Sequence, residues 1–171
     1  MVVYNTTALH IATEKGHEQN VDYLLACGAD INSLNAFDET PLIAAVSAQH
    51  QNEVIIKSLI AYTVKIESYN INITSEGFIK NKACIDESQI LTAIKQKCLQ
   101  KIQEMKSINI RKNLSFFDIF MLQKKDINTL ARCANNPYVV KYQNKFSIYS
   151  SFIEKSIRLL SKLVKVVQNY C

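Results

Sequence analysis

An all-α fold, with two helix–turn–helix repeats capped by a C-terminal helical region, is what this chain of 171 residues predicts. Three observations lead there. A stretch beginning at Thr7 returns in near copy at Thr40. Apolar residues recur at helical period over much of the remainder. The sequence also holds only three Gly and two Pro, few helix breakers for its length.

The first copy reads Thr7-Ala8-Leu9-His10-Ile11-Ala12, then Gly16-His17, then Val21 and Leu24-Leu25, and closes with Gly28-Ala29-Asp30-Ile31-Asn32. Thr7 suits a helix cap, and Leu9 and Ala12 share the inward face of the helix it opens. Gly16-His17 makes the turn to a second helix. Gly28 suits the left-handed residue that stops that helix. The second copy reads Thr40-Pro41-Leu42-Ile43-Ala44-Ala45, then His50, Ile56 and Leu59-Ile60. Thr7 to Thr40 is a step of 33 (40 − 7), whereas Val21 to Ile56 is a step of 35 (56 − 21), so two residues enter the second turn. Asn5 and Asp38, each two residues before a copy, tolerate a positive φ better than most side chains.

These residues resemble the ankyrin repeat, whose signature is Thr-Pro-Leu-His-x-Ala at a period of about 33 residues. The structural motif is carried by Thr7, Leu9, His10, Ala12, Gly16 and Gly28, and by Thr40, Pro41 and Leu42. The resemblance implies that His10 bonds the Thr7 side chain and the neighbouring loop backbone, a structural role. It also implies damage in the second copy. Ile43 stands where the histidine belongs, and Thr63-Val64-Lys65-Ile66-Glu67 replaces the closing Gly-containing segment. Two repeats alone leave the apolar face of Ile56, Leu59 and Ile60 uncovered, since about three or more are needed for stability. The C-terminal region is expected to cover it.

Residues 1–67 therefore form the repeat part, 7–39 the first and 40–67 a degenerate second. Residues 68–85 read as a connector, with a decayed third repeat as the other reading. Residues 86–171 form the helical C-terminal region. Asp86-x-x-Gln89 resembles a capping box, and Ile90, Leu91, Ile94, Cys98, Ile102 and Met105 make one apolar stripe. Ser115-x-x-Asp118 opens a short helix that buries Phe116, Ile119 and Phe120. Asp126 opens another through Ile127, Leu130 and Cys133, and a last helix runs from about Ser147 through Val167.

A narrower resemblance rests on Ala61-Tyr62-Thr63-Val64-Lys65, on Cys98 to Lys106, on Leu114-Ser115-Phe116-Phe117-Asp118-Ile119, and on Lys145-Phe146-Ser147-Ile148-Tyr149. Together they resemble the region after the repeats in PRANC-type ankyrin proteins of insects and poxviruses. That resemblance implies longer relatives whose repeats choose a target and whose F-box-like end recruits ubiquitin-ligase components. Leu159 to Cys171 holds no Leu-Pro pair of the F-box-like kind, so ligase recruitment by this chain itself is not expected. A substrate-recognition fragment of such an adaptor is the alternative reading.

Charge divides the chain. Residues 1–67 hold Lys15, Lys57 and Lys65 against eight acids, a net of −5, and the remainder carries +10, which recovers the total of +5. Lys95, Lys97, Lys101, Lys106, Arg111 and Lys112 cluster, so contact with nucleic acid through the basic half is a second alternative. No nucleic-acid motif accompanies the cluster, and a solvated helix face is the preferred account. No apolar run reaches the ~18 residues needed to span a bilayer, and no signal peptide opens the chain. The five cysteines are scattered and read as reduced thiols, which places the protein inside the cell, in cytoplasm or nucleus.

No P-loop, nucleophile elbow, dinucleotide fingerprint or zinc motif is present. His10, His17 and His50 have no partner at metal-ligand spacing. The expected function is thus a non-catalytic protein–protein interaction module, with no cofactor and no metal. In ankyrin proteins, partners dock on loop tips and on the exposed side of the first helix of each repeat. Carried onto this chain, those positions are Tyr4, Thr6, Glu14 and Lys15, then Phe37, Glu39 and Ser47, with Tyr4 and Phe37 as anchors.

Overall fold

Thr7, Thr40 and Ser75 each stand in extended backbone immediately before a helix. They open α1 (Ala8–Glu14), α3 (Pro41–Ser47) and α5 (Glu76–Asp86). Each first helix is followed by a second: α2 (Glu18–Ala26), α4 (Glu53–Glu67) and α6 (Gln89–Ser107). The computed structural model that gives this order describes residues 5–68, 74–111, 114–121, 145–146, 149, 153 and 158. Two compact units divide the chain, Met1–Leu99 and Gln100–Cys171.

In the first unit α1, α3 and α5 pack in a row, and α2 packs on α1 and α4. The buried core is Leu9, Val21, Leu25, Ile31, Leu42, Ile55, Leu59, Ile60, Phe78 and Ile85, with smaller alanines between. The turns follow from local chemistry. Gly16 and Gly28 take φ +69 and +88, and Asp38 takes φ 64, the left-handed region that its short polar side chain tolerates. Asn52 caps α4 by accepting from the N–H groups of Val54 and Ile55. The connection it closes, residues 48–52, is two residues longer than residues 15–17 of the first pair. With no glycine near Thr63 to stop it, α4 runs on to Glu67, well beyond the length of α2.

The cover for the second pair comes from α5, which packs on α3 and α4. Helix α5 lies in the stretch read from sequence as a connector. Two residues explain its place. Gly77 lies so close to the loop that a Cβ there would sit 1.9 Å from the Asn32 carbonyl oxygen. Asn81 is fully buried. The start of α6 also differs from expectation: Asp86 ends α5, and the Ser88 hydroxyl accepts from the Leu91 N–H. Ile90, at the edge of the expected stripe, is outside and 75 % exposed, while Leu91 and Cys98 are buried and Ile94 half-buried.

In the second unit the end of α6 buries Ile102 and Met105. A two-stranded antiparallel ribbon follows, β1 (Asn109–Arg111) with β2 (Leu114–Ser115), a small addition to an otherwise helical chain. Ser115 and Asp118 then cap α7 (Phe116–Met121) reciprocally. The Ser115 N–H donates to the Asp118 carboxylate at 2.8 Å, and the Asp118 N–H donates to the Ser115 hydroxyl at 3.2 Å. Phe116 and Phe146 are both buried, with ring centroids 5.4 Å apart. The helix expected from Asp126, most of that expected from Ser147, and the side chains of Ile119 and Phe120 lie outside the described residues; within the last of these stretches Tyr149 and Ile153 are buried.

Candidate partner-binding surface

The loop between α2 and α3 is built to hold an aromatic side chain outward. Asn35, almost fully buried, accepts through Oδ1 from the N–H groups of Phe37 at 2.9 Å and Glu39 at 3.0 Å. Backbone bonds close the same turn: the Asn35 N–H donates to the Glu39 carbonyl, and the Asp38 N–H to the Asn35 carbonyl. At its tip Phe37 is 74 % exposed.

His10 fastens this loop to α1. The Thr7 N–H points at His10 Nδ1 at 3.3 Å, and the Thr7 hydroxyl lies 2.9 Å from the same atom. Nδ1 is therefore the acceptor, and Nε2 donates to the Glu39 carbonyl at 3.0 Å. The imidazole is fully buried and both nitrogens are engaged, so its geometry is that of a structural bolt. In the second repeat, where Ile43 has no such reach, Asn81 supplies the bolt from α5. Thr40 accepts from the Ile43 N–H and donates to Asn81 Oδ1 at 2.5 Å. The Asn81 amide donates to the Ile31 carbonyl at 3.3 Å and to the Asn32 side chain at 3.1 Å. Sequence reading missed Asn81. Its only signal was a polar residue in a helix that no motif announced.

The first helices present a row of equivalent positions. Ile11, Ala44 and Ile79 stand at the same step after Thr7, Thr40 and Ser75. Ile11 is 50 % exposed and Ile79 58 %, while Ala44 is covered. Among the residues expected to bind, Glu14, Lys15 and Ser47 are exposed, and Thr6 and Glu39 are half-buried. Tyr4 lies outside the described residues. Ile79 was absent from that expectation because residues 68–85 read as a connector.

Ion pairs tie α5 to the loop and to α4. Lys80 Nζ donates to both the carboxylate and the carbonyl of Asp38 and also meets Glu76 at 3.1 Å. The hydrogen bond it donates to Asp38 is the main reason the Lys80 ammonium is held above the usual lysine range. Lys82 pairs with Glu67 at 2.9 Å, which raises it likewise. Tyr62, buried against the first repeat, donates its hydroxyl to the Leu25 carbonyl at 2.7 Å, and burial pushes it up to about 12. Burial also raises the Cys84 thiol. Among the described residues, no group of three or more His, Cys, Asp or Glu could hold a metal ion, and no helix is long and apolar enough to cross a membrane.

First helices α1, α3 and α5 packed in a row, with α2 and α4 packed on them and on each other, define a helical-repeat scaffold. The family model for ankyrin repeats, three copies, matches residues 9–99, and the chain belongs to the ankyrin-repeat family. Such repeats are in general protein–protein interaction modules. The match runs through α5 and into α6, over the stretch where the sequence signature had faded. The chain is 33% identical over 158 residues to Putative ankyrin repeat protein FPV232 of Fowlpox virus (strain NVSL), covering 88% of this chain and 31% of that protein. It is 27% identical over 210 residues to FPV031 of the same virus, covering 95% and 61%. Ankyrin repeat protein OPG189 of Variola virus is 27% identical over 189 residues, covering 96% and 33%. The chain thus spans less than two thirds of the length of each of these relatives. No solved structure matches it.

Proposed function

We propose that this chain is a non-catalytic module that captures a partner protein on the edge formed by its loop tip and first helices. The observation that carries this reading is Phe37. A large apolar side chain held in solvent by a buried asparagine and a hydrogen-bonded turn is costly to leave idle, and rigid aromatic anchors are what interfaces use. Ile11 and Ile79 extend the apolar contact along the first helices. Residues Thr6, Glu14, Lys15, Glu39 and Ser47 form the polar rim of the same surface. The fully engaged state of His10 supports a structural role for it rather than a chemical one.

The lysine run of the basic half supports this reading over nucleic-acid contact, because much of it is already engaged. Lys95 pairs with Asp86 at 2.9 Å, Lys101 with Glu104 at 3.2 Å, and Lys106 lies over the Phe117 ring at 4.9 Å. Affinity capture with wild-type chain and with Phe37→Ala tests the proposal. One partner retained by the first and lost by the second supports it. Equal capture by both, or tight nucleic-acid binding with a steep salt dependence, contradicts it.

A further inference from the structure

We infer that the partner of this surface presents a cationic side chain beside its apolar one, so that the segment recognised is basic and apolar rather than purely apolar. This rests on the proposed use of the Phe37 edge and specifies what docks there. Asp38 adjoins Phe37 in the chain, Glu76 lies one turn before Ile79 on α5, and Lys80 bridges the two carboxylates, so one carboxylate accompanies each exposed apolar residue. The two share a single ammonium, that of Lys80, and each carboxylate side chain remains 67% exposed. Glu39 adds a third carboxylate, held only loosely by the Asn35 amide at 3.4 Å. Lys82, one turn after Ile79, is paired with Glu67 at 2.9 Å, so the described charges about Phe37 and Ile79 are four carboxylates to two cations. An apolar surface with that surplus is complemented by an arginine or lysine set next to an apolar side chain, whereas a neutral or acidic segment desolvates the surplus negative charge without compensating it. The unit Met1–Leu99 has the same sign as a whole, with seven lysines against eleven acids.

Three labelled synthetic peptides test this with the full chain. They share one pattern of leucines and differ only in the residues between, which are arginine, glutamine or glutamate. Fluorescence anisotropy should give the arginine peptide about tenfold tighter binding than the glutamine peptide, with the glutamate peptide weaker still. Glu76→Gln should reduce that preference, and Phe37→Ala and Ile79→Ala should each weaken the arginine peptide severalfold. All three side chains are exposed, and unchanged melting curves check that the variants fold. Equal binding of the arginine and glutamine peptides, with sensitivity to Phe37 kept, overturns the inference and leaves the protein-binding edge standing. Arginine-peptide binding that ignores both Phe37 and Ile79 overturns the inference and the edge together. No binding by any of the three overturns the inference.

Discussion

Asn81, on the third first-helix, receives a hydrogen bond at 2.5 Å from Thr40, the residue that caps the second. The second repeat has lost the histidine that would bond this threonine, and a residue one repeat later takes over. Replacing Asn81 by Ala leaves the Thr40 hydroxyl, the Ile31 carbonyl and the Asn32 side chain without their buried partner. A loss of about 2–3 kcal/mol in urea unfolding is expected. A double-mutant cycle with Thr40→Val should give a coupling above about 0.5 kcal/mol. Strict additivity would show that the two side chains do not act together.

Gly77 and Gly16 make opposite cases. A Cβ at Gly16 meets nothing within 4 Å, but the residue sits at φ +69, so Gly16→Ala should cost about 1 kcal/mol. At Gly77 the obstacle is the Asn32 backbone, which cannot swing aside as a side chain would. Gly77→Ala should therefore cost more, about 2–3 kcal/mol, with α5 displaced from the loop. Thermal unfolding of the two variants side by side settles their order.

Tyr62 sets an alkaline limit. Its folded value of about 12 lies above the ordinary value near 10, so the folded chain favours the neutral phenol. The stability this contributes is complete below about pH 10 and is lost as pH rises towards 12. In Tyr62→Phe that loss should be absent, leaving a shallower fall in melting temperature between pH 10 and 12. Identical slopes in the two proteins would remove Tyr62 from the account.

Leu59 and Ile90 look alike as apolar residues at helical period, yet only Leu59 is buried. Leu59→Ala should cost about 2–5 kcal/mol, and Ile90→Ala should stay within about 0.5 kcal/mol. Denaturant midpoints of the pair measure the contrast.

What the sequence made legible was what local chemistry decides. The Thr7 and Thr40 caps, the glycine turns at Gly16 and Gly28, the positive φ of Asp38 and the Ser115–Asp118 cap all depend on residues close in the chain. The third helix pair was legible only as the other reading of residues 68–85, because Ser75-Glu76-Gly77-Phe78-Ile79-Lys80 keeps a cap residue, without a side-chain cap bond, and none of the following signature. Its anchors act across the chain: Gly77 against Asn32, Asn81 with Thr40, Lys80 with Asp38. The Asp86 cap was misplaced by two residues because Ser88 competes for the same role, and Ile90, at the edge of the stripe, lies on the surface. Of the candidate site, Phe37 was legible from its place in the loop, while Ile79 depended on recognising α5.

Hydrogen–deuterium exchange of the full chain, alone and with the protein recovered by affinity capture, tests the central claim most directly. Protection is expected at residues 35–39 and along the first turns of α1 and α5, and it should vanish with Phe37→Ala. Protection confined to residues 100–121, with the Phe37 loop exchanging as in the free chain, would contradict it.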